Sequence, residues 1–227
     1  MSAKEAAPSA TVATTAITVT APRAIVDEKA ALGFAFSAYF SNEWLGESSF
    51  IEKNTKASLL QLLSDADAMR LLGSGGWTIA WGPCCLSVLS RIADQTIFVL
   101  RSLVDPAQLL ISICGTNPLS LFNWIMQDFD VHKMVPWAFF SQSAGVPLDC
   151  AAKPFGPEEA VPKISNGTHR GLLKLTAMRD STTKETLVEF LKNEVSKIPD
   201  GGHFDVTVTG HSLGGGLAPA LALFLYE

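Results

Sequence analysis

The sequence predicts an α/β protein with a mostly parallel sheet flanked by helices, and three observations predict it. Apolar residues recur first with helical spacing, then in strand-like runs, then in helix, strand and helix order. Hydrophobic residues make up 48% of the chain and the mean hydropathy is +0.25, which suits a buried parallel sheet or a lipid-contacting surface. A β-branched run, a glycine-rich turn and an apolar helix follow one another across 203–226, a strand-turn-helix unit. A chain of 227 residues is long enough to bury a sizeable core.

Taken in order, residues 1–24 form an Ala/Thr-rich leader without a continuous apolar core, read as flexible. An N-terminal helical segment is expected over 25–76. Its first helix carries Ile25, Val26, Leu32, Phe34, Phe36 and Phe40. Its second, over 57–72, carries Leu59, Leu60, Leu63, Met69, Leu71 and Leu72 and ends at the Gly-Ser-Gly-Gly run. The main domain is expected over 77–227. Trp77, Ile79 and Trp81 alternate as a strand that Gly82-Pro83 should stop. Thr96 to Leu103 and Gln108 to Cys114 are β-rich runs joined by Val104-Asp105-Pro106-Ala107, and they predict a hairpin. Five prolines between Pro136 and Gly171 mark a long ordered connection. Helix signals return over 171–179. A second helix is expected where Thr182 and Glu185 have capping-box spacing, with Leu187, Phe190, Leu191 and Val195 as its buried stripe.

Charge and cysteine usage exclude several classes. With 17 basic and 22 acidic residues the net charge is −5, so nothing attracts nucleic acid or an anionic membrane surface. Cys84, Cys85, Cys114 and Cys150 lack metal-binding spacing, and Cys84 and Cys85 read as small buried apolar residues; no metal or other cofactor is implied. No secretory signal or bilayer-spanning run is evident, which leaves the cytoplasm as the default compartment.

The informative turn is Gly210-His211-Ser212-Leu213-Gly214. It fits the G-x-S-x-G elbow, where a strained strand-to-helix turn lifts a nucleophilic serine above the sheet. Gly210 and Gly214 remove side chains where strand and helix approach, and Gly215 and Gly216 are expected to extend that relief. The helix after Ser212 directs its first N–H groups at the reaction centre, so the Leu213 N–H can donate to an oxyanion. A phosphate-binding loop is excluded, since no Gly-Lys-Ser/Thr ending and no G-x-G-x-x-G follow the strand.

Thr209 to Ala218 (TGHSLGGGLA) resembles the nucleophile turn of the class 3, or fungal-type, lipase family of the α/β-hydrolase superfamily. Two further stretches are similar to that family: Cys114-Gly115-Thr116 followed by Trp124 and Asp128, and Thr168-His169-Arg170-Gly171. Cys114 stands where the family usually has Arg, and Leu172 where an aromatic is common. Together these stretches span about 77–227. The resemblance implies an α/β-hydrolase-like fold and a serine lipase or esterase that hydrolyses carboxylic esters, acylglycerols first among them, through an acyl-enzyme on Ser212. It implies Thr116 as the second oxyanion residue beside Leu213. It also places a lid over Pro118 to Trp137, where Leu121, Phe122, Trp124, Ile125 and Phe129 either pack inward or cover an acyl-binding site at a lipid–water interface. Short soluble esters remain an alternative substrate class.

In α/β-hydrolase order the acid and the histidine follow the serine. The stretch 213–227 contains no histidine, and Glu227 is its one acidic residue. His132, His169, His203 and His211 all precede Ser212, and of these His132 is the candidate for an out-of-order base. The sequence therefore reads as truncated after the elbow helix, which leaves a catalytically inactive lipid- or partner-binding fragment as the alternative function.

Overall fold

A computed structural model describes residues 46–71, 76–88, 92–115, 133–137, 163–199 and 202–226. The 1–24 leader, the 25–40 helix, Thr116 and the apolar residues Leu121, Phe122, Trp124, Ile125 and Phe129 lie outside them, as does His132.

Helices α1 (Ser48–Ser64) and α2 (Ala66–Leu71) come first. The helical pattern starts earlier than expected and breaks at Asp65, whose carboxylate accepts the N–H groups of Asp67 and Ala68 and so caps the second helix. Ile51, Thr55 and Leu59 form the buried face, while Leu60, expected inside, is exposed.

Strands β1 (Trp77–Val88), β2 (Ile92–Ser102) and β3 (Gln108–Ile113) form an antiparallel meander, and β3 pairs in parallel with β6 (Asp205–Gly210). The order is β1-β2-β3-β6. The described sheet is therefore mixed, and its parallel pairing begins at β3–β6. The hairpin is as expected, with Asp105 and Ser102 accepting backbone N–H groups across its turn. Gly82-Pro83 does not stop β1. The strand passes through it as an irregularity, with register shifts between Ile79 and Trp81 and between Trp81 and Cys84. Gly82 sits at φ +76, where a side chain would press on Cys84 N and Ile97 O, both 3.0 Å from an added Cβ.

Between β3 and β6 the chain forms a small antiparallel pair, β4 (Met134–Pro136) with β5 (Lys163–Ser165), then helices α3 (Asn166–Ala177) and α4 (Leu187–Val195). Thus the last residues of the expected lid, Met134 to Pro136, are strand, and Trp137 packs against the core. Helix α3 starts at the Ser165 cap, whose Oγ accepts the Thr168 N–H at 3.1 Å. The capping box lies four residues beyond the expected one. Thr186 and Glu189 exchange the two bonds, while Thr182 and Thr183 instead wrap around Asp180. Leu187, Phe190 and Leu191 are buried; Val195, expected in that stripe, is 54% exposed.

Strand alternation divides the core. Ile97, Val99, Leu109, Ile111 and Ile113 face α3, α4 and the final helix α5 (Leu213–Tyr226), while Phe98, Leu100 and Leu110 face Leu59 and Met69 of α1 and α2. The inner strand β3 is apolar on both faces, with Ser112 as its one buried polar side chain. The α/β-hydrolase-like class holds, with helices on both faces of the sheet.

Candidate active site

Strand β6 ends at Gly210 and helix α5 begins at Leu213, so His211 and Ser212 alone make the turn. Ser212 has φ 54, in the left-handed region that non-glycine residues rarely enter, and its side chain is exposed. Ser212 is thus held in a strained turn between strand and helix, open to solvent. The turn is pinned by the His211 N–H, which donates to Ile113 O at 3.3 Å, and by the Gly216 N–H, which donates to Ser212 O at 3.2 Å.

The four glycines of the turn differ in the room they leave. A Cβ on Gly210 would land on the carbonyl of Gly214, and one on Gly214 would land on the carbonyl of Ile113. Both positions allow the first turn of α5 to lie against the ends of β6 and β3. Gly215 is tight, 3.1 Å from Gly210 O to an added Cβ, whereas Gly216 faces open space and relieves nothing. By the fourth helical residue α5 has already turned that position away from the sheet.

The end of β3 meets the elbow directly. A Cβ on Gly115 would lie 2.8 Å from His211 O and 3.0 Å from Ser212 Cβ. Thr116 follows Gly115 in sequence and lies outside the described residues; the structure brings Gly115 against the His211-Ser212 turn. Gly171 on α3 has a matching part behind the elbow, since a Cβ there would lie 2.7 Å from Leu217 Cδ2. The Thr168-His169-Arg170-Gly171 stretch thus serves close packing of α3 on α5.

Among the described residues Ser212 Oγ has no hydrogen-bond partner. His203 faces Asp205 at 3.6 Å at the far end of β6, a strand length of about 3.3 Å per residue from Ser212. His211 Nδ1 packs on Gly115. No group of three or more His, Cys, Asp or Glu side chains suited to a metal occurs among the described residues, and none of their helices is long and apolar enough to cross a membrane. Cys84 and Cys114 are buried, and burial pushes both thiols well above the ordinary range, so neither is a ready nucleophile.

The sequence reading missed the carboxylates that hold β1. Asp180 accepts the Gly82 N–H through Oδ2 at 3.0 Å, and those of Thr182 and Thr183 through Oδ1 at 2.8 and 2.7 Å. Burial raises its pKa, but the three N–H donors outweigh burial and hold it below the usual value. Glu52 accepts the Cys85 N–H at 2.9 Å; there burial outweighs that bond, and the Asp180 charge adds to it, so its pKa is raised. A signal for the first existed in Asp180-Ser181-Thr182-Thr183, an Asx-turn pattern.

A mixed sheet layered by helices, with a strained serine between strand and helix, defines an α/β-hydrolase-like protein. The class 3 lipase family matches residues 111–227, and the chain belongs to that family. The crystal structure of M37 lipase is similar in fold, with a TM-score of 0.67 at 24% identity over 88% of this chain. The chain spans 54% of that structure's length. No curated protein matches it.

Proposed function

We propose that the chain carries the nucleophile of a serine ester hydrolase acting on carboxylic esters, acylglycerols foremost. The observation that carries this reading is Ser212, exposed at φ 54 between Gly210 and Gly214 in a chain of the class 3 lipase family. Ser212 attacks the ester carbonyl. The Leu213 N–H, first in α5 and without an intrahelical partner, stabilises the oxyanion together with Thr116. The alcohol leaves as Ser212 becomes acylated, and water then releases the acid. Removing one oxyanion donor costs about a hundredfold or more in rate in enzymes of this type.

A serine hydroxyl is a weak nucleophile until a base takes its proton. In this proposal the base is a residue outside the described ones. An apolar lid made of Leu121, Phe122, Trp124, Ile125 and Phe129, and a lipid–water interface as its partner, belong to the same proposal. Fluorophosphonate labelling of the 227-residue chain and of Ser212→Ala tests it. Labelling that depends on Ser212, with hydrolysis of p-nitrophenyl butyrate, supports the reading. A folded chain that neither labels nor hydrolyses, yet binds phosphatidylcholine or triolein emulsions, overturns it in favour of a lipid-binding role.

A further inference from the structure

Gln95 is buried, 2% exposed, and both its carboxamide oxygen and its nitrogen lack a hydrogen-bond partner. Leaving a buried donor and acceptor unmatched is costly, and such groups in native proteins are exceptions that call for a reason. Its place in the sheet supplies one. Ile97 pairs with Ile113, and Ile113 with Gly210; the next row is closed by the Cys114 N–H donating to Thr96 O. Counting one residue further along β2 and β3 brings Gln95 opposite Gly115, and Gly115 in turn lies against Ser212, 3.0 Å from an added Cβ to Ser212 Cβ.

Alternation puts the Gln95 side chain on the same face as Ile97, the face of α3 and α5. Consistent with that, a Cβ at Gly171 would lie 3.4 Å from Gln95 Nε2. Gly115 lies against the His211-Ser212 turn with no room for a side chain, so whatever fixes Gly115 also fixes the position of Ser212.

We propose that Gln95 is a positioning residue of the elbow, its carboxamide bonding the main chain at Gly115 when the site is occupied and holding Gly115 against Ser212. Hydrogen bonds of catalytic sites commonly tighten only in the occupied state. The inference rests on the reading of Ser212 as nucleophile. It adds a residue that touches neither substrate nor reacting atoms.

Two backgrounds separate the claims. Fluorophosphonate labelling of the native serine tests Ser212 itself. In the Ser212→Cys chain, iodoacetamide alkylation at position 212, followed across pH by peptide mass spectrometry, reports the setting of the turn whether or not the serine is activated. Adding Gln95→Met removes the unmatched amide, so thermal stability should hold or rise, as it would for a purely structural residue. Positioning adds a second effect: alkylation slows about tenfold near neutral pH and its profile moves to higher pH. Gln95→Asn, which keeps a shorter amide, should fall between the two and serves as the arm if the Met variant does not fold. Alkylation profiles superimposable with and without either Gln95 substitution overturn the proposal, even if labelling confirms Ser212.

Discussion

Strands β1 and β6 form the two edges of the described sheet, and they are secured by opposite means. The β1 edge is irregular and tied down by side chains from distant parts of the chain. Asp180 takes the Gly82 N–H, Glu52 takes the Cys85 N–H, and the Trp81 indole donates to Glu185 O at 3.1 Å. The β6 edge is regular, and backbone-to-backbone fit through Gly210, Gly214 and Gly115 secures its end. An edge closed by carboxylates is protected from further pairing. An edge whose end is free of side chains can instead bend sharply and present one serine.

The largest expected effect comes from spoiling the fit on the β6 side. Gly210→Ala and Gly214→Ala each push a methyl into a carbonyl that cannot move without displacing α5. Each should cost about 3 kcal/mol, measured by urea denaturation. If either alanine variant unfolds at the same urea concentration as the parent, the contrast between the two edges fails.

Next is the carboxylate on the β1 side. Asp180→Asn keeps an oxygen for the Thr182 and Thr183 N–H groups but turns an NH2 toward the Gly82 N–H, two donors facing each other. The loss should be about 2 kcal/mol at neutral pH. The folded pKa of Asp180 lies below its ordinary value, so its stabilising effect is complete above that value and fades as the pH falls through the folded pKa. Parent and Asp180→Asn stabilities should therefore converge in strong acid, and a gap independent of pH would show that the carboxylate charge plays no part.

A smaller effect, of opposite sign, separates the glycines that fit from the one that does not. Gly216 lies in α5 with open space where a Cβ would point. Gly216→Ala should stabilise the chain by about 0.5–1 kcal/mol through helix propensity, with fluorophosphonate labelling unchanged. A fall in thermal midpoint would show that Gly216 is as constrained as Gly214.

The same comparison explains what the sequence made legible. The strand–turn–helix unit is local: its parts are contiguous, and the glycines at 210 and 214 that the tight turn needs lie within five residues. The hairpin before it is local as well. By contrast, Gly82 and Asp180 are 98 residues apart, and Gly82-Pro83 read as a stop because nothing nearby announces the carboxylate that stabilises the irregular strand. Thr182-x-x-Glu185 and Thr186-x-x-Glu189 carry the same capping-box spacing, and only the competing claim of Asp180 on Thr182 and Thr183 decides between them. The Gly115 contact with Ser212, like Gly171 with Leu217, needed the sheet and helices in place before its reason could be seen.

The smallest expected effect tests whether the two β1 carboxylates act independently. Glu52 has a raised folded pKa, so its contribution is complete below its ordinary value and is lost as the pH rises through the folded value, opposite in sign to Asp180. Glu52→Gln keeps an oxygen for the Cys85 N–H without a charge to desolvate. Its stability should match the parent in acid and exceed it slightly at neutral pH, followed by thermal midpoints between pH 4 and pH 8. Because the Asp180 charge contributes to the rise, Asp180→Asn should shrink the Glu52→Gln advantage. Additive effects in the double variant would mean that the two carboxylates hold β1 separately, so that the edge is fastened at two points without a shared electrostatic coupling.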